Sequence, residues 1–379
     1  MFEVKPEWAF IFTRFSVALV CAWPPNKNAN KREMIIFDIK WWISWINSWL
    51  LSIPLAYAAY NDRQDILLFT KSLCLTACCI KCTIQMFICK IFQKRMQFVL
   101  DEMESYVRDA APAEREIFLH YTKSRGIIHV IYLSYALSTS MGVIMGPLIL
   151  PQPLPSDAKY PFRVDKHPLF DIIYIQQSIV GIQITSMGGI DCQMALMLWY
   201  IIVRLKVLQT EIRNIKNANE FSICIQKHQY LLWLAKEMIF IARYILLTTV
   251  IMATLSIILG GVHIVGNQPL IIRIQFTLIV FGFSLLLLLN AWPSEILIRS
   301  CQGIGMAMYE SAWAKSNFDK KVVLVIQRSY KPVTIEVTGL LPKLSLNYYA
   351  TFLSKAFSFF TTLRIVLSKM ETNFPTAQV

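Results

Sequence analysis

Charge is scarce in this sequence. Of 379 residues only 16% are Asp, Glu, Lys or Arg, against 55% hydrophobic, which excludes a water-soluble globule because one core cannot hide that much apolar surface. Catalytic and nucleotide motifs are missing as well. There is no G-x-x-x-x-G-K-[ST] loop, dinucleotide fingerprint, His-Glu-x-x-His pair or G-x-S-x-G elbow, so enzymatic function has no support in the residues, and no cofactor is expected. Internal repeats and low-complexity tracts are absent. The apolar stretch 8–21 contains Arg14, lacks a basic leader and runs into Trp23-Pro24-Pro25, so it does not have signal-peptide form and is expected to remain as a short interfacial helix.

What the chain has is long apolar runs. A helix needs about 20 mainly apolar residues to span a bilayer, and seven runs qualify: 41–60, 66–92, 127–150, 172–203, 238–265, 274–292 and 344–367. The expected fold is an all-α membrane protein, one polytopic domain over 1–379. The second and fourth runs, at about 1.5 Å rise per residue, exceed bilayer thickness, so their inner ends should project into the cytosol.

Orientation follows from Lys and Arg. Segments 1–40, 93–126, 204–237 and 293–343 hold 6, 6, 6 and 7, in all 25, whereas 61–65, 151–171, 266–273 and 368–379 hold 1, 3, 1 and 1, in all 6. Basic loops stay inside, which puts 1–40 in the cytosol as an N-terminal segment, helices 1 to 6 over 41–292, a cytosolic anchor over 293–343, a seventh helix over 344–367 and an extracellular tail over 368–379. Because the net charge of +13 is spread over alternate loops, nucleic acid is not an expected partner. A G-protein-coupled receptor would have the opposite orientation, and Asp-Arg-Tyr and Asn-Pro-x-x-Tyr are both missing from their places. A secondary transporter would show paired repeats with broken helices.

None of the nine cysteines falls in an outer segment. The cluster Cys78, Cys79 and Cys82 lies mid-span with no expected His or carboxylate beside it, so it reads as packing and no metal is expected. Asp191, in the fourth span about 28 Å from its outer end, is expected at the inner interface, bonded to the anchor region. Lys355 lies about 16 Å into the seventh span, near midplane, where it either pairs or lines water, or snorkels along its stem. Arg364, about 30 Å in, belongs at the outer mouth. The stretch 151–168, with five prolines, is suited to act as a lid and reads equally as a solvated linker. The apolar patch 322–326 between Lys320-Lys321 and Arg328 predicts a helix lying under the membrane.

The last quarter carries a more specific signal. MYESAWA from Met308 is followed by a helix ending at Lys331-Pro332, by Pro342-Lys343-Leu344-Ser345, and by Phe359-Phe360-Thr361-Thr362-Leu363-Arg364. These elements, over about 57 residues, resemble in order and spacing the C-terminal signature of insect odorant receptors; the Thr-Tyr and Gln-Phe ending of gustatory receptors is absent. The resemblance implies the odorant-tuning subunit of a tetrameric cation channel that includes a coreceptor, in the plasma membrane of olfactory neuron dendrites, with volatile odorants, membrane lipid and permeant cations as partners. It further implies a pore lined by the outer half of the seventh helix and constricted near Thr362, Ile365 and Val366; Lys355 and Arg364, by their depth in the span, are candidate pore residues beside them. Family gates are apolar there, so Thr362 departs from the pattern. Odorant would bind among helices two, three, four and six, whose outer halves offer Phe69 and Leu73; Thr139, Gly142, Met145 and Gly146; Tyr174, Gln177 and Ser178; and Phe276, Ile279, Val280 and Phe283. Taken singly, each of these also reads as helix packing. A gustatory-type receptor channel is the alternative.

Overall fold

Eleven α-helices follow one another through the described residues of a computed structural model, which cover 5–27, 29–149, 152–266, 268–311 and 319–373, the side chains of 319, 320 and 366–373 excepted. They are α1 (Trp8–Ser16), α2 (Lys31–Asn61), α3 (Ile66–Ile91), α4 (Gln93–Asp109), α5 (Pro112–Tyr121), α6 (Ile127–Ile144), α7 (Leu169–Arg213), α8 (Ala218–Val265), α9 (Leu270–Glu310), α10 (Asp319–Ser329) and α11 (Leu346–Asn373). A π-turn, Thr122–Gly126, joins α5 to α6. No strand occurs among the described residues.

Local chemistry sets the helix ends. Asp65 caps α3 by accepting from the backbone N–H groups of Leu67 and Leu68, at 2.9 and 3.2 Å, and Asn217 caps α8 through the N–H of Glu220 at 2.9 Å, so donors that have no partner inside the helix are satisfied. Pro112 opens α5, where its missing N–H costs nothing. Between α10 and α11 the chain reverses at Val337 and Leu341, whose backbones exchange two 2.8 Å hydrogen bonds. Gly339 makes that reversal with φ +80°, a conformation other residues rarely adopt.

Five stretches are long and apolar enough to cross a membrane: Ile66–Ile91, Pro112–Ile144, Leu169–Arg213, Ala218–Val265 and Leu270–Glu310. The expected first and seventh spans are not among them. In α2 the reason is four tryptophans, Trp41, Trp42, Trp45 and Trp49, whose rings pack pairwise at 5.0 to 5.9 Å; such amphipathic rings suit a membrane interface. In α11 the reason is its Thr, Ser, Lys and Arg content.

Burial ranks the helices. The apolar window of α7 is 94% buried, against 22% for α9 and 17% for the α5–α6 stretch, so α7 is the central post and its neighbours present apolar faces outward. Its 45 residues match the expected overlong fourth helix and extend it at both ends. The main core gathers where α7, α8 and α9 meet α4 and α10, with Met96, Met103, Leu198, Ile202, Leu234, Ile304 and Val322 inside it. The helix expected around 322–326 is α10, whose Val322 and Val325 are buried and whose Val323 and Leu324 are exposed. α11 starts at Leu346 and continues to Asn373, past the expected boundary at 367.

Asp191 differs from expectation. It is 0% exposed and bonded not to the anchor region but to Lys81 of α3, because α3 packs directly on α7 and carries a cation at the matching height. All nine cysteines are free thiols, Cys78, Cys79 and Cys82 among the buried ones. No group of three metal-ligating side chains occurs among the described residues.

Candidate functional site

Two features, a cavity and a buried ion pair, stack on one another between α3, α6, α7 and α9. The upper one is a cavity of about 120 Å³. Leu75 and Cys78 of α3, Tyr132, Tyr135, Ala136, Thr139, Ser140 and Val143 of α6, Gly181, Ile184, Thr185 and Met187 of α7, and Leu278, Ile279, Gly282 and Phe283 of α9 line it. Glycines make the room and fix its walls. A Cβ at Gly181 would come within 3.2 Å of Ile144, one at Gly282 within 3.1 Å of Tyr135, and one at Gly188 within 2.9 Å of the Tyr132 hydroxyl.

Most polar groups in this wall are already engaged. Ser140 Oγ donates to the Gly181 carbonyl at 2.6 Å, Thr139 Oγ1 to Ala136 at 2.8 Å, Thr185 Oγ1 to Ala136 at 3.4 Å and Tyr135 to the Leu278 carbonyl. Tyr132 is different: it is 6% exposed and makes no hydrogen bond among the described residues. A small apolar molecule bearing one oxygen is the ligand such a cavity suits, held by buried area and a single hydrogen bond.

Beneath the cavity lies the ion pair. Lys81 Nζ is 3.0 Å from Asp191 Oδ2, with the side chains 2% and 0% exposed. Thr249 of α8 donates to Asp191 Oδ1 at 2.5 Å, and Gln85 Nε2 reaches Asp191 Oδ2 at 3.4 Å and Thr248 Oγ1 at 3.0 Å. A buried carboxylate needs such partners, since an uncompensated charge away from water is costly. Lys81 Nζ also stands 5.5 Å from the ring centroid of Phe283, which lines the cavity. One aromatic ring therefore touches both features.

Of the residues expected at a ligand site, Thr139, Ile279 and Phe283 line this cavity. The others sit elsewhere. Phe276 is 1% exposed and stacked on His263 with centroids 3.9 Å apart, and Leu73 packs in the same small cluster. Val280 fills the space left by Gly260. Gln177 accepts from Ser156 at 2.9 Å and donates to Tyr160 at 3.1 Å, holding the proline-rich loop; burial there pushes the Tyr160 phenol up from its ordinary value, so it stays protonated. Tyr174 bonds the Ile144 carbonyl at 2.9 Å and Ser178 its own helix at 2.8 Å. Phe69 is half-buried, Gly142 and Met145 face outward, and Gly146 is buried against Gln152. Sequence reasoning missed Tyr132 and Lys81, although a Lys in an apolar span at a depth comparable to an intramembrane Asp was a readable signal.

The same loop is strapped across the ends of α2 and α3 by ion pairs. Lys71 pairs with Asp157 at 2.6 Å and Lys159 with Asp62 at 2.5 Å, and the loop's own Leu154 is buried.

On α11, Tyr348, Tyr349 and Phe352 pack toward the bundle, and Phe359, Phe360 and Leu363 meet α8 at Gly261. Thr351, Lys355, Ser358, Thr362 and Ile365, spaced four and three apart, form an exposed stripe on the opposite face, and Arg364 is exposed beside it. The Val366 side chain lies outside the described residues.

Comparison with known proteins now decides the family. Residues 65–357 match the family model described as 7tm Odorant receptor. The chain belongs to the odorant receptor family. No curated protein sequence matches this odorant receptor. Its fold matches that of the insect olfactory receptor OR5 from Machilis hrabei with a TM-score of 0.78 at 12% identity, over 94% of this chain and 98% of that one. The same receptor in complex with eugenol matches with a TM-score of 0.77 at 14% identity, over 96% and 97%.

Proposed function

We propose that this odorant receptor is the tuning subunit of an odorant-gated, nonselective cation channel, and that the cavity between α3, α6, α7 and α9 is its odorant site. The observation that carries the reading is the cavity itself: small, walled by four helices, mainly apolar, and supplied with one unspent hydroxyl at Tyr132. The eugenol complex of the Machilis hrabei receptor, which shares this fold, supports a small-molecule ligand. The chain spans the plasma membrane of olfactory neurons seven times, with α2 and α11 as first and seventh spans, the basic loops and α10 in the cytosol, and the end of α11 outside. Tetramerisation with a coreceptor turns the exposed α11 stripe toward a central pore. A stripe of Thr, Lys and Ser would be costly facing lipid and suits water, which supports this arrangement. Coupling runs from odorant to Phe283, to Lys81 and Asp191, to Thr249 on α8, and through Gly261 to α11.

Whole-cell recording tests the reading. Cells expressing this chain with an insect odorant coreceptor should give cation currents to a panel of volatiles, surviving G-protein blockade. Cells expressing either chain alone set the baseline. Currents that need a G protein, or none with both chains at the surface, would remove the channel reading.

A further inference from the structure

A second cavity, about 380 Å³, is not the one assigned to odorant. It lies at the cytosolic end of α6, between α1, α5 and α7, with Trp8, Phe12, Ile127, Val130, Leu196 and Val203 among its apolar walls. Trp8, Ile127 and Val130 are exposed on its border, 52%, 57% and 41%, so the cleft opens sideways along the bundle. Its mouth is the π-turn Thr122–Gly126, which sets Lys123 and Arg125 into the lining; widened turns of this kind often mark functional positions.

The charge at this mouth is unbalanced. Arg125 lies 4.1 Å from the Trp292 ring centroid and 5.3 Å from that of Trp199, yet its Nε is buried with no hydrogen-bond partner, and neither Arg125 nor Lys123 has a carboxylate partner among the described residues. The nearby acids have partners other than Arg125 and Lys123, although Glu7 keeps one buried oxygen, Oε2, without a hydrogen bond and Glu114 meets a neutral phenol. Glu7 pairs with Arg115 at 2.5 Å, Glu102 with Arg204 at 3.0 Å, and Glu114 accepts from Tyr106 at 2.9 Å. An apolar cleft opening toward lipid, with two uncompensated cations where the basic loops begin, is complementary to a molecule with an anionic head and an apolar tail.

We infer that this cleft is a binding site for an anionic phospholipid of the inner leaflet, its phosphate on Arg125 and Lys123 and an acyl chain against Trp8, Phe12 and Val130. Placing it in the inner leaflet rests on the orientation proposed above; the binding itself does not, and it is measured without coreceptor or current. Full-length receptor, delipidated in detergent, is titrated with phosphatidylserine or phosphatidylcholine, and bound lipid is counted by native mass spectrometry alongside the thermal midpoint. Phosphatidylserine should be retained and raise the midpoint, phosphatidylcholine should do neither, and inorganic phosphate should not substitute for the lipid. Replacing both cations, Arg125→Gln with Lys123→Gln, should weaken phosphatidylserine binding about tenfold or more, the loss of a charge-assisted contact. Arg163→Gln in the outer loop should leave it unchanged. Val130→Trp, which fills the cleft and spares both charges, should also abolish binding, while Arg125→Lys should keep most of it. These two variants decide the matter if the double variant fails to fold. Equal binding of the two lipids, or wild-type binding by Val130→Trp, would overturn the site.

Discussion

Tyr132 and the Lys81–Asp191 pair are single-residue features with opposite thermodynamic roles. The Tyr132 hydroxyl stands at the cavity wall with no internal partner, so a ligand that accepts its hydrogen bond gains about 1 kcal/mol. Tyr132→Phe should therefore raise the half-maximal concentration about fivefold for oxygen-bearing odorants and leave hydrocarbon odorants nearly unchanged, read from concentration–current curves. Equal losses for both classes would mean that the ring, not the hydroxyl, matters. The ion pair, by contrast, contributes by compensation: both side chains are within 2% of complete burial, and removing one leaves the other charged in a dry environment. Lys81→Met alone or Asp191→Leu alone should each cost about 3 to 5 kcal/mol of stability, whereas the double variant should be far closer to wild type. Thermal unfolding of the purified chain in detergent measures all three. If the double variant is as unstable as the singles, the hydrogen bonds from Thr249 and Gln85 carry the stability instead.

At the scale of elements, the contact that matters for transmission is between α8 and α11. A Cβ at Gly261 would come within 3.0 Å of Phe360, 3.2 Å of Phe359 and 3.3 Å of Leu363, so the helices are as close there as the absence of a side chain permits. Gly261→Val should push α11 outward and change maximal odorant-evoked current, while binding of a fluorescent or radiolabelled odorant stays within about twofold, a change of about 0.4 kcal/mol. Loss of binding and current together would place the effect on folding. The same scale explains what the residues could and could not disclose. Five of the seven expected spans and the overlong α7 are legible because composition alone dictates which stretches leave water. Of the positions expected to line a cavity, Tyr174 lies about two turns from Gly181, the first lining residue of α7, whereas Leu73, Gly142 and Phe276 stand within two residues of the lining positions Leu75, Val143 and Leu278 but on other faces of their helices. Periodicity reports which face of a helix is apolar; the depth at which four helices diverge depends on where Gly181, Gly188 and Gly282 let neighbours in, a property of pairs of helices. Asp191 was visible as an intramembrane charge, but its partner on α3 became visible only when the two helices were brought side by side.

At the scale of the whole molecule, α11 is amphipathic in a manner a lone chain does not use. Phe352, Phe359, Phe360 and Leu363 belong to the bundle side, and Thr351, Lys355, Ser358 and Thr362 face away from it. In the proposed tetramer this stripe meets its counterparts around water, and Lys355 then sits in the permeation path as a fixed positive charge. A unit charge about 8 Å from a permeating ion repels it by about 0.5 kcal/mol in water, which lowers the local cation concentration about twofold. Lys355→Gln should therefore raise single-channel cation conductance by about that factor at low ionic strength, and Lys355→Glu by more. The gain should shrink as salt is raised toward 1 M, where screening shortens the range to about 3 Å. Odorant sensitivity should be unchanged, because Lys355 lies on the face opposite the bundle. A conductance indifferent to charge at 355 in both directions would put the stripe against lipid or a neighbouring subunit, and the pore would then have to be sought on another helix.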